Sequence, residues 1–270
     1  MEDGLSGKTV TSLSERKGIA SLVPPAWEHT VRMLGLDESR QAGLSLAHAF
    51  ATDELSRYLV DTDDMADRTA EQKWKLHVDI MIYAAAAHCL SGEVTAIGPD
   101  HEGVALWLPP GKTNDDWWTI LRSGMWRLYY QLSAEGRRRY YDEFLPLLHH
   151  TKQDVMGDRD DDCYYLVYIG TKPNARRRGY ATKLLEHMIA RADAENRAMY
   201  LESSSLANNA YYAKCGFEFK KDIFFHEPGG PPVTLSIMVR EPRPPRVPAY
   251  SAKLTVKVQP KAVHREFAAV

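Results

Sequence analysis

Apolar positions along the chain follow two periods. From 37 to 50 and from Ala70 to about Leu90 they recur every three or four residues, with Trp74, Val78, Ile82 and Ala85 forming a stripe in the second stretch. Both are predicted helices, the first with Asp37 as N-cap, and a shorter helix is expected after Asp53. His29 to Leu34 reads as a short strand. Between Gly92 and Gly111 two apolar runs flank ProAspHisGluGly, a turn-forming cluster that predicts an antiparallel hairpin. Helical spacing returns from Asn114 to Leu132 and from Ala134 to His150, broken around Ser133. The first of these carries Trp117, Trp118, Trp126, Tyr129 and Tyr130, which at helical spacing read first as core rings and second as walls of a ligand pocket.

From Cys163 the order becomes strand to Gly170, turn to Gly179, helix from Tyr180 to about Glu195 and strand through Ser203. A helix from Asn208 to Lys214 follows, then strands around Phe217–Phe225 and Val233–Val239. That succession predicts an α/β fold around a mixed sheet. Residues 1–26, polar and punctuated by Gly18 and the Pro24-Pro25 pair, read as an arm, and the proline-rich segment 241–270 as a tail. Within the tail, Ala252 to Val258 alternates like a strand. The domain is therefore expected over 27–240.

Charge narrows the function classes. Lysine and arginine total 34 against 36 aspartates and glutamates, a net charge of -2, so a surface built as a trap for nucleic acid is not expected. Any phosphate site must be local. Cys89, Cys163 and Cys215 are widely spaced, odd in number and form no CxxC, which suggests reduced thiols in the cytoplasm, with a nuclear pool compatible. The start lacks the basic end and apolar run of a signal peptide. Val78 to Leu90, the most apolar helical stretch, contains Asp79 and falls short of a bilayer span, so no membrane partner is expected.

The candidate chemistry lies in ThrLysProAsnAlaArgArgArgGlyTyrAlaThr, 171–182. A helix N-terminus exposes unpaired N–H groups and about half a positive charge, and binds phosphate when the preceding chain turns tightly. Gly179 permits that turn, and Ala181 keeps the first helical turn slim. No GxxxxGK[ST] or GxGxxG occurs, which disfavours nucleoside triphosphatases and dinucleotide enzymes. Arg176, Arg177 and Arg178 also read as a solvated basic cluster, although phosphate explains them better.

Arg176-x-x-Gly179-x-Ala181, after a strand and opening an amphipathic helix, resembles the acetyl-coenzyme A pyrophosphate loop of the GNAT N-acetyltransferase superfamily. TyrLeuGluSerSerSer at 200–205 and AsnAsnAlaTyrTyrAlaLysCysGlyPhe at 208–217 are similar to the segments that follow in that family. The front part, with LeuSerLeuAlaHisAlaPhe at 44–50, and GlyValAlaLeuTrpLeuProProGly at 103–111 resemble the branch that includes puromycin N-acetyltransferase and fungal relatives. The resemblance spans about 29–240. It implies a mixed, mostly antiparallel sheet splayed at the acetyl-coenzyme A site and flanked by helices. It further implies backbone contacts from Ile169, Gly170 and Thr171 to the pantetheine arm, and amides from Arg177, Arg178, Gly179, Tyr180, Ala181 and Thr182 around the pyrophosphate. Asn208 would touch the pantetheine and Tyr212 sit near the sulfur.

Acetyl transfer to an amine needs a neutral amine, an oriented thioester and a proton for the departing thiolate, and it requires no metal. Tyr212 is the candidate general acid, read as a phenol near its usual pKa, with a core tyrosine as the bland alternative. Glu202 is the candidate base for the amine proton, or the group that pins the cationic acceptor; its alternative is a glutamate bonded to backbone amides. His149 and His150 read as helix-end residues favoured by the dipole rather than as catalysts. Asp158 and Asp160 to Asp162 read as a solvated acidic loop, and Cys163 as a small strand residue, so direct transfer in a ternary complex is preferred to a ping-pong route. The expected acceptor is a primary amine of a small molecule, xenobiotic, antibiotic-like or polyamine. Peptide acetylation and a coenzyme A-binding module without catalysis remain as alternatives. The oligomeric state is open, a homodimer included.

Overall fold

The computed structural model describes residues 22–226 and 230–243. The arm and tail expected at 1–26 and 241–270 lie largely outside these, and the alternating segment 252–258 lies wholly outside. A 3-10 turn over Pro25–Glu28 precedes β1 (Arg32–Met33), shorter than the strand expected from His29, because the turn has already engaged His29 and Thr30.

A second 3-10 turn, Leu36–Glu38, leads into α1 (Ser39–Ala49). Asp37 lies inside that turn and does not cap the helix, which corrects the expected N-cap. Asp53 does cap α2 (Glu54–Val60), accepting from the Ser56 N–H at 2.9 Å. α3 (Ala70–Ser91) starts on a capping box in which Thr69 and Gln72 satisfy each other's backbone N–H groups. The stripe on α3 is broader than its spacing predicts: Trp74 stays partly exposed while Leu76, His77, Ile80, Met81 and Ala85–His88 are buried. α3 is flanked by α1 on one side and by a cavity wall on the other, so two faces are covered.

The hairpin follows as β2 (Glu93–Ile97) and β3 (Gly103–Leu108). The helix expected from Asn114 to Leu132 is divided. Asp116 caps α4 (Trp117–Ser123), a left-handed Gly124 ends it, and a 3-10 turn at Met125–Arg127 redirects the chain into α5 (Leu128–Gln131). The redirection turns the aromatic side chains outward: Trp117, Trp118, Trp126, Tyr129 and Tyr130 are all exposed, so they are not core rings. Ser133 caps α6 (Ala134–Arg137), a π-helical stretch covers Arg138–Phe144, and α7 (Leu145–Met156) continues six residues past His150. His149 and His150 therefore lie within a helix rather than at its end.

β4 (Cys163–Thr171) occupies the middle of the sheet, followed by α8 (Tyr180–Ala194), β5 (Ala198–Ser203), α9 (Leu206–Lys214), β6 (Glu218–Phe225) and β7 (Val233–Arg240). α9 begins two residues before the expected Asn208. The strand order is β1-β2-β3-β4-β5-β7-β6, antiparallel at every pairing except β4–β5. α8 and α9 pack on one face around Leu184, Leu185, Met188 and Met199, while α1 and α3 cover the other face of β2–β4. The three cysteines are free thiols, and no helix among the described residues is long and apolar enough to cross a membrane.

The parallel β4–β5 pairing is short. Cys163 to Leu166 face Ala198 to Leu201, and there it stops, although both strands continue. At the same level the β3–β4 register slips between Leu106 and Trp107, leaving Val167 with no residue opposite it. A bulge of this kind bends the strand and strengthens its local twist. From Tyr168 to Thr171, β4 pairs with β3 on one side and has no strand on the other, which is the splay the sequence resemblance implied.

Candidate active site

The splay opens into a cavity of about 670 Å³ whose wall includes Ile169, Glu202, Ser204, Asn208 and Tyr212. Segments distant in sequence meet here because the sheet parts at one point. α2 and α3 roof the apolar side with Leu59, Ile80 and Met81, and α7 with its π-helical lead-in closes it with Tyr140, Phe144 and Leu148.

Glu202 stands on β5 opposite Ile237, on the same face as Tyr200 two residues earlier. Its Oε1 and the Tyr200 Oη are buried, and neither has a hydrogen-bond partner among the described residues. Burial pushes the Glu202 carboxyl up to about 7. The nearby Tyr165 and Tyr200 hydroxyls and the Lys152 ammonium pull it part of the way back without closing a bond on Oε1. A carboxyl poised near neutrality accepts and returns a proton with little bias.

Tyr212 is 8% exposed and packs against Phe217, while the adjacent Tyr211 turns away to donate to Thr182 Oγ1 at 3.4 Å. Of the two, Tyr212 lines the cavity. Burial holds its phenol above the usual range, which corrects the expectation of an ordinary pKa. The proton therefore stays in place at neutral pH. Cys163 is buried, and its thiol is pushed up to about 11 by burial, so it is no thiolate at neutral pH.

The loop before α8 has two left-handed residues, Arg177 at φ 66° and Gly179 at φ 77°. No side chain caps α8, and a Cβ added to Gly179 would meet nothing within 4 Å, so the start of α8 keeps its backbone donors uncapped beside open space at Gly179. Arg176 donates to the Ala49 carbonyl at the end of α1, and Arg178 lies 4.0 Å from Glu28. Arg177 is exposed with no such tie. Tyr180 is buried and donates to Glu28 at 2.6 Å, so its backbone rather than its ring faces the loop. On β4, a Cβ at Gly170 would fall 2.7 Å from the Ala49 Cβ, so α1 rests directly on that strand.

Three arrangements were not visible in the sequence. Asp53 Oδ2 accepts from Ser204 Oγ at 2.5 Å, tying the α2 cap to the residue that follows β5. His88 is fully buried; its Nδ1 donates to the Ala84 carbonyl at 2.8 Å, and burial takes its pKa down to about 4, leaving a neutral ring that Asn114 contacts at 3.1 Å. Tyr165 and Tyr168 join the cavity wall from β4. Each depends on contacts between residues dozens of positions apart, for which periodicity carries no signal. The acidic run is exposed at Asp158, Asp161 and Asp162, as expected of a solvated loop, with Asp160 tied to Lys152 at 2.6 Å and Asp162 paired with Arg197.

Residues 146–217 match the model of the acetyltransferase (GNAT) family. They contain the central strand, the arginine loop, α8, β5 and α9. An uncharacterised N-acetyltransferase of Schizosaccharomyces pombe is 40% identical over 215 residues, covering 79% of this chain and 84% of the relative. The chain belongs to the GNAT family. Among solved structures, mosquito arylalkylamine N-acetyltransferase like 5b aligns over 78% of this chain and 99% of its own, with a TM-score of 0.53 and 15% identity. Arylalkylamine N-acetyltransferase 2 of Aedes aegypti gives 78%, 98%, 0.51 and 16%. At such identities the likeness concerns the fold.

This GNAT protein is an N-acetyltransferase, an enzyme of the acyltransferase class, and the cosubstrate of its family is acetyl-coenzyme A. The loop residues fit that cosubstrate: an uncapped helix end, a positive-φ glycine with open space before it and three arginines together suit a pyrophosphate. The unpaired edge of β4 suits an amide-bearing arm.

Proposed function

We propose that this GNAT enzyme acetylates a primary amine of a small molecule by direct attack on acetyl-coenzyme A in a ternary complex. The observation that carries the reading is a single cavity, walled on one side by the free edge of β4 and Asn208 and on the other by apolar helices, with Glu202 and Tyr212 both at its surface. Acetyl-coenzyme A supplies an activated thioester. Ile169, Gly170 and Thr171 hold the pantetheine through their backbone, Asn208 adds a side-chain contact, and the amides of Arg177 to Thr182 hold the pyrophosphate with Arg176 to Arg178 nearby.

Glu202 takes the proton from the incoming ammonium, which leaves a neutral nucleophile. Tyr212 gives its proton to the departing sulfur. Removing water from the cavity strengthens both transfers, since neither group shares its charge with solvent. The raised Glu202 pKa suits it to a base working near neutral pH, and the raised Tyr212 pKa keeps its phenol protonated there.

The small-molecule acceptor is favoured by enclosure: helices α2, α3 and α7 cover the cavity, whereas a peptide acceptor would need a groove across the sheet. We also assign the protein to a reducing compartment such as the cytoplasm, on its three unpaired cysteines. Calorimetry with acetyl-coenzyme A, followed by coenzyme A release over an amine panel, tests the reading. Micromolar binding and amine-dependent release are expected, and an absence of binding at micromolar concentration would overturn it.

A further inference from the structure

The Glu202 Oε1 is buried with no hydrogen-bond partner among the described residues, so its charged form depends on an opposite charge nearby. Two lysines line the cavity it faces, Lys112 and Lys152. Lys112 is exposed, whereas the Lys152 side chain, on α7, is only 17% exposed. Its Nζ donates to the Asp160 backbone carbonyl and, at 2.6 Å, to Asp160 Oδ1, both in the 3-10 turn Gly157–Asp162. It also lies 5.8 Å over the Tyr165 ring, which meets the Tyr200 ring edge to face at 5.4 Å. The two phenols stand beside the Glu202 carboxyl, and Tyr200 Oη is itself buried without a partner. Carboxyl, phenols, ammonium and Asp160 carboxylate thus follow one another along one wall.

Among the described residues, the rest of the wall offers Glu202 no second buried cation. Asp53 of α2 is engaged by Ser56 and Ser204, and burial leaves His77 and His88 of α3 neutral. Tyr168 and Cys163 on β4 and Tyr212 on α9 keep their protons at neutral pH. β7 sets Ile237 opposite Glu202. Lys112, Asp115, His149, His150 and Asp161 are exposed, where solvent and salt screen their charge. A buried ammonium acts more strongly, because little water lies between it and the carboxyl.

We propose that Lys152 is a positioning residue for the transfer: its ammonium is the counter-charge that keeps Glu202 open as a base, and Asp160 sets how much of that charge Glu202 feels. The proposal rests on the transferase reading with Glu202 as base and adds two residues to it. A carboxyl buried with no cation nearby holds its proton through neutral pH and cannot take another from the acceptor ammonium. Beside an unshared ammonium it would be too weak a base. A lysine already tied to a carboxylate lies between these limits.

Removing the charge and removing its partner act in opposite directions. Carboxyl titrations are followed by NMR on the full chain labelled with 13C-glutamate, the Glu202 signal being the one lost in Glu202→Gln. That signal is expected to titrate about one pH unit higher in Lys152→Met, to stay near its unmodified position in Lys152→Arg, and to move lower in Asp160→Asn. Asp160→Asn keeps Lys152 and its bond to the Asp160 backbone carbonyl, so it tests the charge without emptying the site. Coenzyme A release is then measured with whichever of butylamine, 2-phenylethylamine and spermidine reacts fastest. The acid limb of kcat/KM is expected to move in step, Lys152→Met losing about tenfold at pH 6 and recovering at pH 9. A lysine that only ties α7 to the next turn would shift neither curve, and a titration position does not depend on how much of a variant folds. A Glu202 titration that neither substitution moves, or that both move the same way, would overturn the inference and leave the transferase reading standing. A titration that moves while the kcat/KM limb stays in place would remove Glu202 as the base and the role of Lys152 with it.

Discussion

Asp53 and Ser204 join the two halves of the cavity mouth. Asp53 Oδ1 accepts from the Ser56 N–H at 2.9 Å and so starts α2, while its Oδ2 accepts from Ser204 Oγ at 2.5 Å, two residues beyond Glu202. One carboxylate thus fixes a roof helix relative to the strand that carries the proposed base. Asp53→Ala removes a cap and a helix–strand tie together, for which about 1–2 kcal/mol of stability is expected. Ser204→Ala keeps the cap and is expected to lose less stability but to raise the KM of the acceptor. Urea unfolding and amine saturation curves on the pair check this; equal effects of the two variants on both readouts would remove the positioning role.

Glu202→Gln tests the raised carboxyl in two ways. If Glu202 is the base, kcat/KM falls below about pH 7 in the unmodified enzyme, and the variant loses most of the activity together with that limb. Stability has the opposite sign. The folded state holds the proton up to about 7, whereas the ordinary carboxyl releases it near 4.5, so between these values the folded state binds more protons and stability declines as pH rises. The protein is expected to be more resistant to urea at pH 5.5 than at pH 8, and the variant to abolish that difference, gaining about 1–3 kcal/mol at pH 8.

Tyr212→Phe keeps the packing against Phe217 and removes only the hydroxyl. Turnover is expected to fall about 10²-fold or more, the usual contribution of a positioned acid, with acetyl-coenzyme A affinity nearly unchanged. Calorimetry and steady-state rates separate the two. A large loss of affinity with normal kcat would show that the phenol binds rather than transfers.

Gly179→Val is expected to weaken acetyl-coenzyme A binding more than Arg177→Ala. The physical reason is conformational: nothing lies within 4 Å of the added Cβ, but a φ of 77° is strained for any side chain and worst for a β-branched one. The Arg177 change removes one exposed charge of three. Titration of both variants with coenzyme A at two salt concentrations is the check, and the reverse order would return the loop to a simple charge effect.

The α/β succession from Cys163 onward is written locally in the chain. There each element is announced by an apolar run or by a positive-φ glycine before a helix, as the caps Asp53 and Ser133 announce helices further upstream. The loop is legible for the same reason, whereas Glu202 and Tyr212, on β5 and α9, are pointed to by the resemblance of 200–205 and 208–217 to the segments that follow that loop in the family. Elsewhere the period of the pattern misled. The aromatic run at 117–130 has helical spacing, but Gly124 and a 3-10 turn rotate its second half, so burial could not be inferred from spacing. Asp37 looked like a cap, yet a turn closed around it first.

The splay is a tertiary property, because the end of the β4–β5 pairing at Leu166 and Leu201 and the bulge at Val167 are matters of register between strands. So is the poise of Glu202 near neutrality, since it comes from burial of the carboxyl once β5 is paired with β7 inside the fold, whereas its neighbours in sequence are ordinary. Local composition specifies what each segment can become. How much water each side chain keeps depends on which segments arrive beside it.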